Sequence, residues 1–548
     1  MTFKKMIAML LAAVLAISCL TGCSGGGSDK PADTSKAGES SKAAEQSQKE
    51  ADPDDPYASA DFAYPMDKAE LSINKDATDY STIPAWVGDY YWEYVVEEKT
   101  GVHLNMIGSP SQPMEDSEQF NLLLASGELP DLLQCNWLTH KGGPQGAIDE
   151  GFIYELSQYS QYFPAYYQIL QDNPDTYKKW VSLDNGGLYN FPCIVLASPT
   201  GTGWSIRKDY LEKIGEDVPK TVDQWHTVLT KFKNELGLSA PITFEWRWLF
   251  LEYAAAGLSN PWGTCYPFYI VDGKVLFGPD TEGYKEFVET MHQWYSEGLI
   301  DPDILSVDKK TVESKVSSGD AGLALQQIRN IQNCMIADHT TDPTFELVGV
   351  PGMVMNEGDP IEYGHYTNAY TGGISISITT DCTNVPLACR YLDWGYTEEG
   401  HKFMEYGTEG FSYEEKDGKI VLTDIIKNNP DTPDAQAARY YVGYFRNHAV
   451  ICDDAYAHFS DEVLEIANQF GSNQQAHAIP SLVYTDEEAE AIREYTDIDT
   501  TSREAIANFV MGNRPMSEWD AFVAEIHNLG LDNVLAAYQS AVDRYNAR

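Results

Sequence analysis

The sequence predicts an α/β fold of at least two domains, and three observations predict it. Short apolar runs of strand length alternate with longer stretches whose apolar residues recur at helical spacing. A chain of 548 residues exceeds what one core can serve, because single cores stop growing at roughly 250–300 residues. Asp272-Gly273 and Asp417-Gly418 each lie between strand-like runs and read as hairpin turns, whose central positions need the positive φ that Asp and Gly tolerate.

Taken in order, the first element stands outside the fold. Lys4 and Lys5 precede an apolar stretch, Met6–Leu20, which is too short for a typical membrane span and has the layout of a secretory signal. It closes in Leu20-Thr21-Gly22-Cys23, which resembles the bacterial lipobox, so residues 1–22 read as a signal peptide and Cys23 as the lipidation site. Residues 23–56 read as the lipidated cysteine and a disordered tether, rich in Ser, Gly, Lys, Glu, Asp and Ala. No later stretch has the roughly 18 consecutive apolar residues of a membrane span.

In the body, Leu104–Ile107, Asp131–Cys135, Leu323–Gln327, Leu347–Val350 and Gly373–Ile378 are strand candidates. Thr221 and Gln224 form a capping box ahead of Trp225, Val228, Leu229 and Phe232, a helical stripe that ends by Gly237. Tyr284, Phe287, Val288, Met291 and Tyr295 make a second stripe, closed by Gly298. Trp519, Phe522, Val523 and Ile526 make a third, stopped by Gly530, and Leu535, Tyr538 and Val542 begin a fourth. Trp225, Trp294, Trp519 and Tyr284 lie on or beside these stripes and are assigned to the core.

Without Lys4 and Lys5, 35 basic residues face 83 acidic ones, a net charge of −48. Such a field argues against nucleic acid or an anionic surface as partner, and against a polyanionic ligand unless arginines cluster locally. Nine cysteines less Cys19 and Cys23 leave seven in the body, without a CxxC pair or metal-ligand spacing. They read as small buried apolar residues, with any disulfide left open.

Eight segments, in order, carry a resemblance to a known family. They are Phe120–Gln134 (FNLLLASGELPDLLQ), Gly151–Tyr159, Tyr189–Pro192 and Ser205–Trp225 (SIRKDYLEKIGEDVPKTVDQW). Trp294–Asp303 (WYSEGLIDPD), Ser317–Leu325, Tyr406–Tyr413 (YGTEGFSY) and Ala507–Asn546 complete the series. Together they resemble the family 1 extracellular solute-binding proteins of ABC importers, in the branch of long aldouronate- or oligosaccharide-binding lipoproteins. The resemblance implies a two-lobed, periplasmic-binding-protein-like (type II) α/β fold with the ligand in an interlobe cleft. Lobe one is expected at 57–192 with 373–430, and lobe two at 193–372 with 431–548. The first crossing is expected near Pro192–Ser198 and the return near Val350–Gly373. The implied function is a receptor that captures an oligosaccharide, neutral or weakly acidic, at the outer face of the membrane and delivers it to permease subunits. The chain is expected to be a monomer that touches the membrane through its lipid alone. A receptor for a peptide or another solute on the same scaffold stays open, as does a secreted glycan-acting enzyme.

Sugars present apolar C–H faces and a rim of hydroxyls, so their sites need flat aromatic platforms beside planar polar groups. In α/β sheets such sites lie beyond the carboxyl ends of strands. Asn136 and Trp137 follow one strand candidate, and Trp204 and Arg207 follow the first crossing. Glu245, Trp246, Arg247 and Trp248 concentrate rings and charge, with one tryptophan expected in the cleft and the other packed inward. Trp262 and Tyr266 lie in a loop punctuated by Gly and Pro, and Gln327 and Arg329 end a strand-like run. Tyr363, His365, Tyr366 and Tyr370 precede the return crossing, and Glu409 and Phe411 fall in the family's Gly-x-Glu-Gly region.

Signals for catalysis and metals are poor. In the body of the chain, beyond the lipobox and tether, HExxH, GxSxG, a P-loop and a dinucleotide-binding glycine loop do not occur. Some relatives carry a calcium loop after the helix matching Thr221–Leu236, but here Gly237–Pro241 holds no carboxylate. Asp301-Pro302-Asp303 fails as an alternative because Ser306 stands where the loop needs Gly and Val312 where it needs an acid. The expectation is a binding protein with no catalytic residue, no cofactor and no metal.

Overall fold

The computed structural model describes residues 55–547, apart from 60–61, 75–82, 108–117, 175–180, 198–200, 251–256, 339–342, 365–369, 433–436, 444–448, 455 and 471–475. The signal peptide 1–22, Cys23 and all but the end of the 23–56 tether lie outside the described residues. Among the described residues no helix is long and apolar enough to cross a membrane.

The strands in chain order are β1 (Ala69–Asn74), β2 (Val102–Met106), β3 (Leu132–Asn136), β4 (Phe191–Ala197), β5 (Thr202–Arg207), β6 (Ala240–Thr243) and β7 (Phe268–Val271). They continue as β8 (Lys274–Phe277), β9 (Ala321–Gln327), β10 (Leu347–Val350), β11 (Tyr370–Ile378), β12 (Tyr413–Lys416), β13 (Lys419–Leu422) and β14 (Val450–Asp454). One sheet has the order β14-β4-β11-β3-β1-β2 and a second the order β10-β5-β9-β6. The pairs β7–β8 and β12–β13 are hairpins. Their turns are the two Asp-Gly pairs, with φ of 50° at Asp272, 78° at Gly273, 53° at Asp417 and 73° at Gly418.

Strand direction places the site. In the first sheet β11 runs against β3 and β4, while β1–β2, β1–β3 and β4–β14 pair in parallel. The carboxyl ends of β1, β3, β4 and β14 therefore share an edge with the start of β11. In the second sheet β5 runs against β9 and β10, and β6 pairs with β9 in parallel. Thr243, Gln327 and Val350 thus end strands on the edge where Thr202 begins one. Only residues 198–201 connect β4 to β5. At about 3.3–3.6 Å per residue, so short a connection keeps the end of β4 close to the start of β5. The chain returns between β10 and β11 and leaves again after β14 for the helix Asp461–Gln469.

Two expectations about the division need correction. Pro192–Ser198, expected as a crossing, is largely β4 and pairs with β11 and β14, so the crossing follows it. The block 431–548, expected wholly in lobe two, contributes β14 to the first sheet through the register Val450↔Cys193 to Asp454↔Ala197. Local periodicity marks a strand but cannot say which sheet it joins, because the partner lies far away in sequence.

Each sheet carries its own core. Over the second, the helix Val222–Asn234 starts with the Thr221–Gln224 capping box and buries Trp225, Val228, Leu229 and Phe232. The helix Glu282–Ser296 buries Tyr284, Phe287, Val288, Met291 and Trp294, and the C-terminal helices add Phe509, Trp519 and Phe522 to the same cluster. The other face is covered by the helix Asp461–Gln469 so closely that a Cβ at Gly203 would run into the Phe470 ring. Around the first sheet, Trp92, Tyr166, Phe191, Trp394 and Phe403 form a separate cluster. Each of the seven body cysteines is buried and outside any disulfide.

Candidate functional site

The edge of the second sheet presents an organised polar and aromatic group. Directly after Thr243, the chain turns into a short 3-10 helix, Trp246–Phe250. The Glu245 carboxylate is its hub, accepting from Arg247 Nε at 2.9 Å, Arg247 Nη2 at 3.3 Å and Trp248 Nε1 at 3.1 Å. Arg247 is exposed, with its guanidinium over the Trp248 ring at 5.1 Å. Trp246 is half-buried, nearly parallel to Phe244 at 6.4 Å and edge-on to Phe250 at 5.7 Å. Gln327 is exposed at the end of β9 and accepts from Lys309 at 3.5 Å. Arg329 is half-buried, 5.3 Å from the centre of the Phe459 ring. Burial pushes the neighbouring His458 down to about 3, and the charges of Arg329 and Arg439 push the same way. His458 is therefore neutral.

On the facing edge, Asn136 is half-buried and spends its side-chain oxygen on the Leu138 N–H at 3.0 Å. Glu409 is exposed and Phe411 half-buried. Phe411 stacks on Tyr90 with ring centres 3.8 Å apart and planes 6° from parallel. Tyr90 and Tyr94 are exposed at 45% and 52%. The sequence reading missed both. Their signal was present in the dense aromatic run Trp86–Tyr94 (WVGDYYWEY), but without a strand candidate at β1 nothing tied that run to a strand end.

Several expected ligand residues belong to the interior instead. Trp204 is 1% exposed, because it lies within β5 and packs edge-on against Trp225 at 5.3 Å and Phe244 at 5.7 Å. Trp137 is also 1% exposed, with Phe120 and His140 at its ring. Arg207 is buried and bound to Asp209 by Nε at 2.7 Å and Nη2 at 2.9 Å, with Tyr210 and Phe345 beside it. Tyr266 is buried and donates its hydroxyl to Asp499, and burial drives its pKa upward. Tyr363 is buried and stacks on His477 at 4.5 Å. Trp248 packs inward, leaving Trp246 as the ring at the edge. Trp262 is half-buried against Phe287. His365 and Tyr366 lie outside the described residues, and Tyr370 opens β11 with its side chain outside them.

Two sheets with separate cores, with rings and hydrogen-bonding groups at the ends of their strands, make a two-lobed α/β architecture. Among the described residues no three His, Cys, Asp or Glu gather as metal ligands. The chain belongs to the bacterial extracellular solute-binding protein family, which residues 74–402 match. Across 496 residues it is 26% identical to the fructooligosaccharide ABC transporter substrate-binding protein FusA of Streptococcus pneumoniae serotype 4, covering 82% of this chain and 86% of that one. Its fold matches the alginate-binding protein AlgQ2 without calcium ion at a TM-score of 0.65, with 21% identity over 87% of this chain and 98% of the other. It also matches a solute-binding protein of an HMO-binding ABC transporter from Bifidobacterium longum infantis at 0.67, with 20% identity over 87% and 99%.

Proposed function

We propose that this chain is the substrate-binding lipoprotein of an ABC importer, capturing a neutral or weakly acidic oligosaccharide outside the cell and delivering it to the permease without changing it. The observation that carries the reading is the likeness to a fructooligosaccharide receptor along 82% of this chain. The Glu245–Trp246–Arg247 group supports it with the chemistry a sugar needs, a ring face beside a carboxylate and a guanidinium held in place by each other. Closure of the two lobes over the sugar would create the surface that docks on the permease. Cys23 carries the lipid in this reading, and the protein acts as a monomer.

The test is a melting screen against an oligosaccharide panel, followed by analysis of the recovered sugar. A specific rise in melting temperature with the sugar unchanged is expected, and a cleaved sugar, or a shift with peptides alone, overturns the proposal. Replacing Cys23 by Ala should release the protein from the membrane fraction while ligand binding persists. Unchanged retention removes the lipid anchor from the reading.

A further inference from the structure

We infer that the Tyr90–Phe411 ring pair is the first lobe's platform for one ring of the bound oligosaccharide, which lies on the outer face of Tyr90. The inference rests on the oligosaccharide reading above and assigns it a subsite.

The pair is anchored from within. Tyr441 is 2% exposed in the first lobe's core, Phe411 stands edge-on to it at 5.0 Å, and Tyr90 lies flat on Phe411 at 3.8 Å. Three rings thus run from the core to the surface, and the last is fixed in orientation before any ligand arrives. That removes much of the ordering cost a mobile side chain would pay on binding. Tyr94, in the first turn of the following helix, is exposed and edge-on to Tyr91 at 5.2 Å, and Glu409, two residues before Phe411, is an exposed carboxylate. A flat apolar face with polar groups at its rim matches a sugar ring, which has C–H bonds on its face and hydroxyls at its edge.

Packing places the pair on the ligand edge. Tyr90 lies between the carboxyl end of β1 and the helix Trp92–Thr100. The helix Glu398–Tyr406 runs antiparallel to that helix: Lys99 meets Glu399 at 2.5 Å at one end, while Gly443 lies against both Trp92 and Met404 at the other. The turn holding Glu409 and Phe411 therefore emerges at the Trp92 end, where β1 finishes. Tyr441, against which Phe411 packs, belongs to the core around the first sheet. The platform thus sits on that core at the edge where β1 finishes.

The experiment uses the full chain and titration calorimetry with the sugar that gives the largest melting shift. Tyr90→Ala should weaken binding roughly 5- to 150-fold, the loss expected for one aromatic face against a sugar ring. Tyr90→Leu keeps the bulk, loses the flat face and should weaken binding similarly, which covers the case in which the alanine variant folds poorly. Wild-type affinity in a folded Tyr90→Leu protein overturns the platform while leaving the receptor reading intact. Failure of the wild-type protein to bind any sugar overturns both.

Discussion

Trp204 and Trp246 belong to the same sheet and stand in equally aromatic surroundings, yet they have opposite fates. Trp204 sits in the middle of β5, where both faces of the sheet are covered, and its indole fills the space between Trp225 and Phe244. Trp246 comes just after β6 has ended, where the chain turns along the edge and the ring is left half-buried. The difference teaches that the layers arriving to cover a ring, more than the richness of the local sequence, decide whether it is packed away or left at the edge. A parallel contrast holds for charge. Asp393 is buried at 1% exposure among backbone donors, whereas Asp184 is a half-open surface partner of Arg544.

The first way to break the comparison is Trp204→Ala. Truncating a buried tryptophan costs about 3–5 kcal/mol of folding free energy. Denaturant unfolding should show that loss, and the protein that remains folded should keep its ligand affinity. A variant with normal stability and lost binding would reverse the roles assigned to the two tryptophans.

Next in size is Asp393. Burial raises its pKa to about 7, against the opposing pull of the Tyr166 and Ala165 N–H donors and of Arg390. Because the folded value lies above the unfolded one, the group stabilises the fold fully below about pH 4, and that contribution is lost as pH rises through about 7. At about 1.4 kcal/mol per pKa unit the effect is a few kcal/mol. Asp393→Asn should flatten this part of the stability profile between those limits. An identical profile in the variant would show that other groups set it.

Trp246→Ala sharpens the comparison from the other side. Loss of a stacking face should cost about 1–3 kcal/mol of binding with little change in unfolding free energy. Equal losses in both measurements would make Trp246 another packing ring. The smallest effect belongs to Asp184→Asn. Its carboxylate meets Arg544 Nε at 3.0 Å, and Arg544 is also held by Glu488 and by the Val483 carbonyl. A half-exposed pair of this kind contributes about 0–1 kcal/mol and fades with added salt. A larger, salt-independent loss would mean that this contact organises the junction between the C-terminal helices and the first lobe.

The candidate site was legible in part. The run Glu245–Trp248 could be chosen because charges interrupt its rings, which a core segment rarely tolerates. Its internal arrangement, with Trp248 turned inward by a bond to Glu245, was foreseen only as a division of labour without an assignment. Arg207 is withdrawn from the site by burial and by its ion pair with Asp209. Tyr90 and Phe411 could not be joined from sequence at all, because more than 300 residues separate them.

What the sequence by itself determined is whatever closes within a few residues. The Thr221–Gln224 capping box, the two Asp-Gly hairpins, the helix ends at Gly298 and Gly530 and the alternation of strands with helices all follow from local hydrogen bonds and permitted φ values. Tertiary structure alone decided that β14 lies beside β4, that Trp204 and Trp137 are interior, and that a ring from position 411 lies flat on one from position 90. The reason is physical. A hydrogen bond across one turn is made by neighbours in the chain, but the burial of a side chain is set by every element that arrives to cover it, and those elements come from anywhere along the chain.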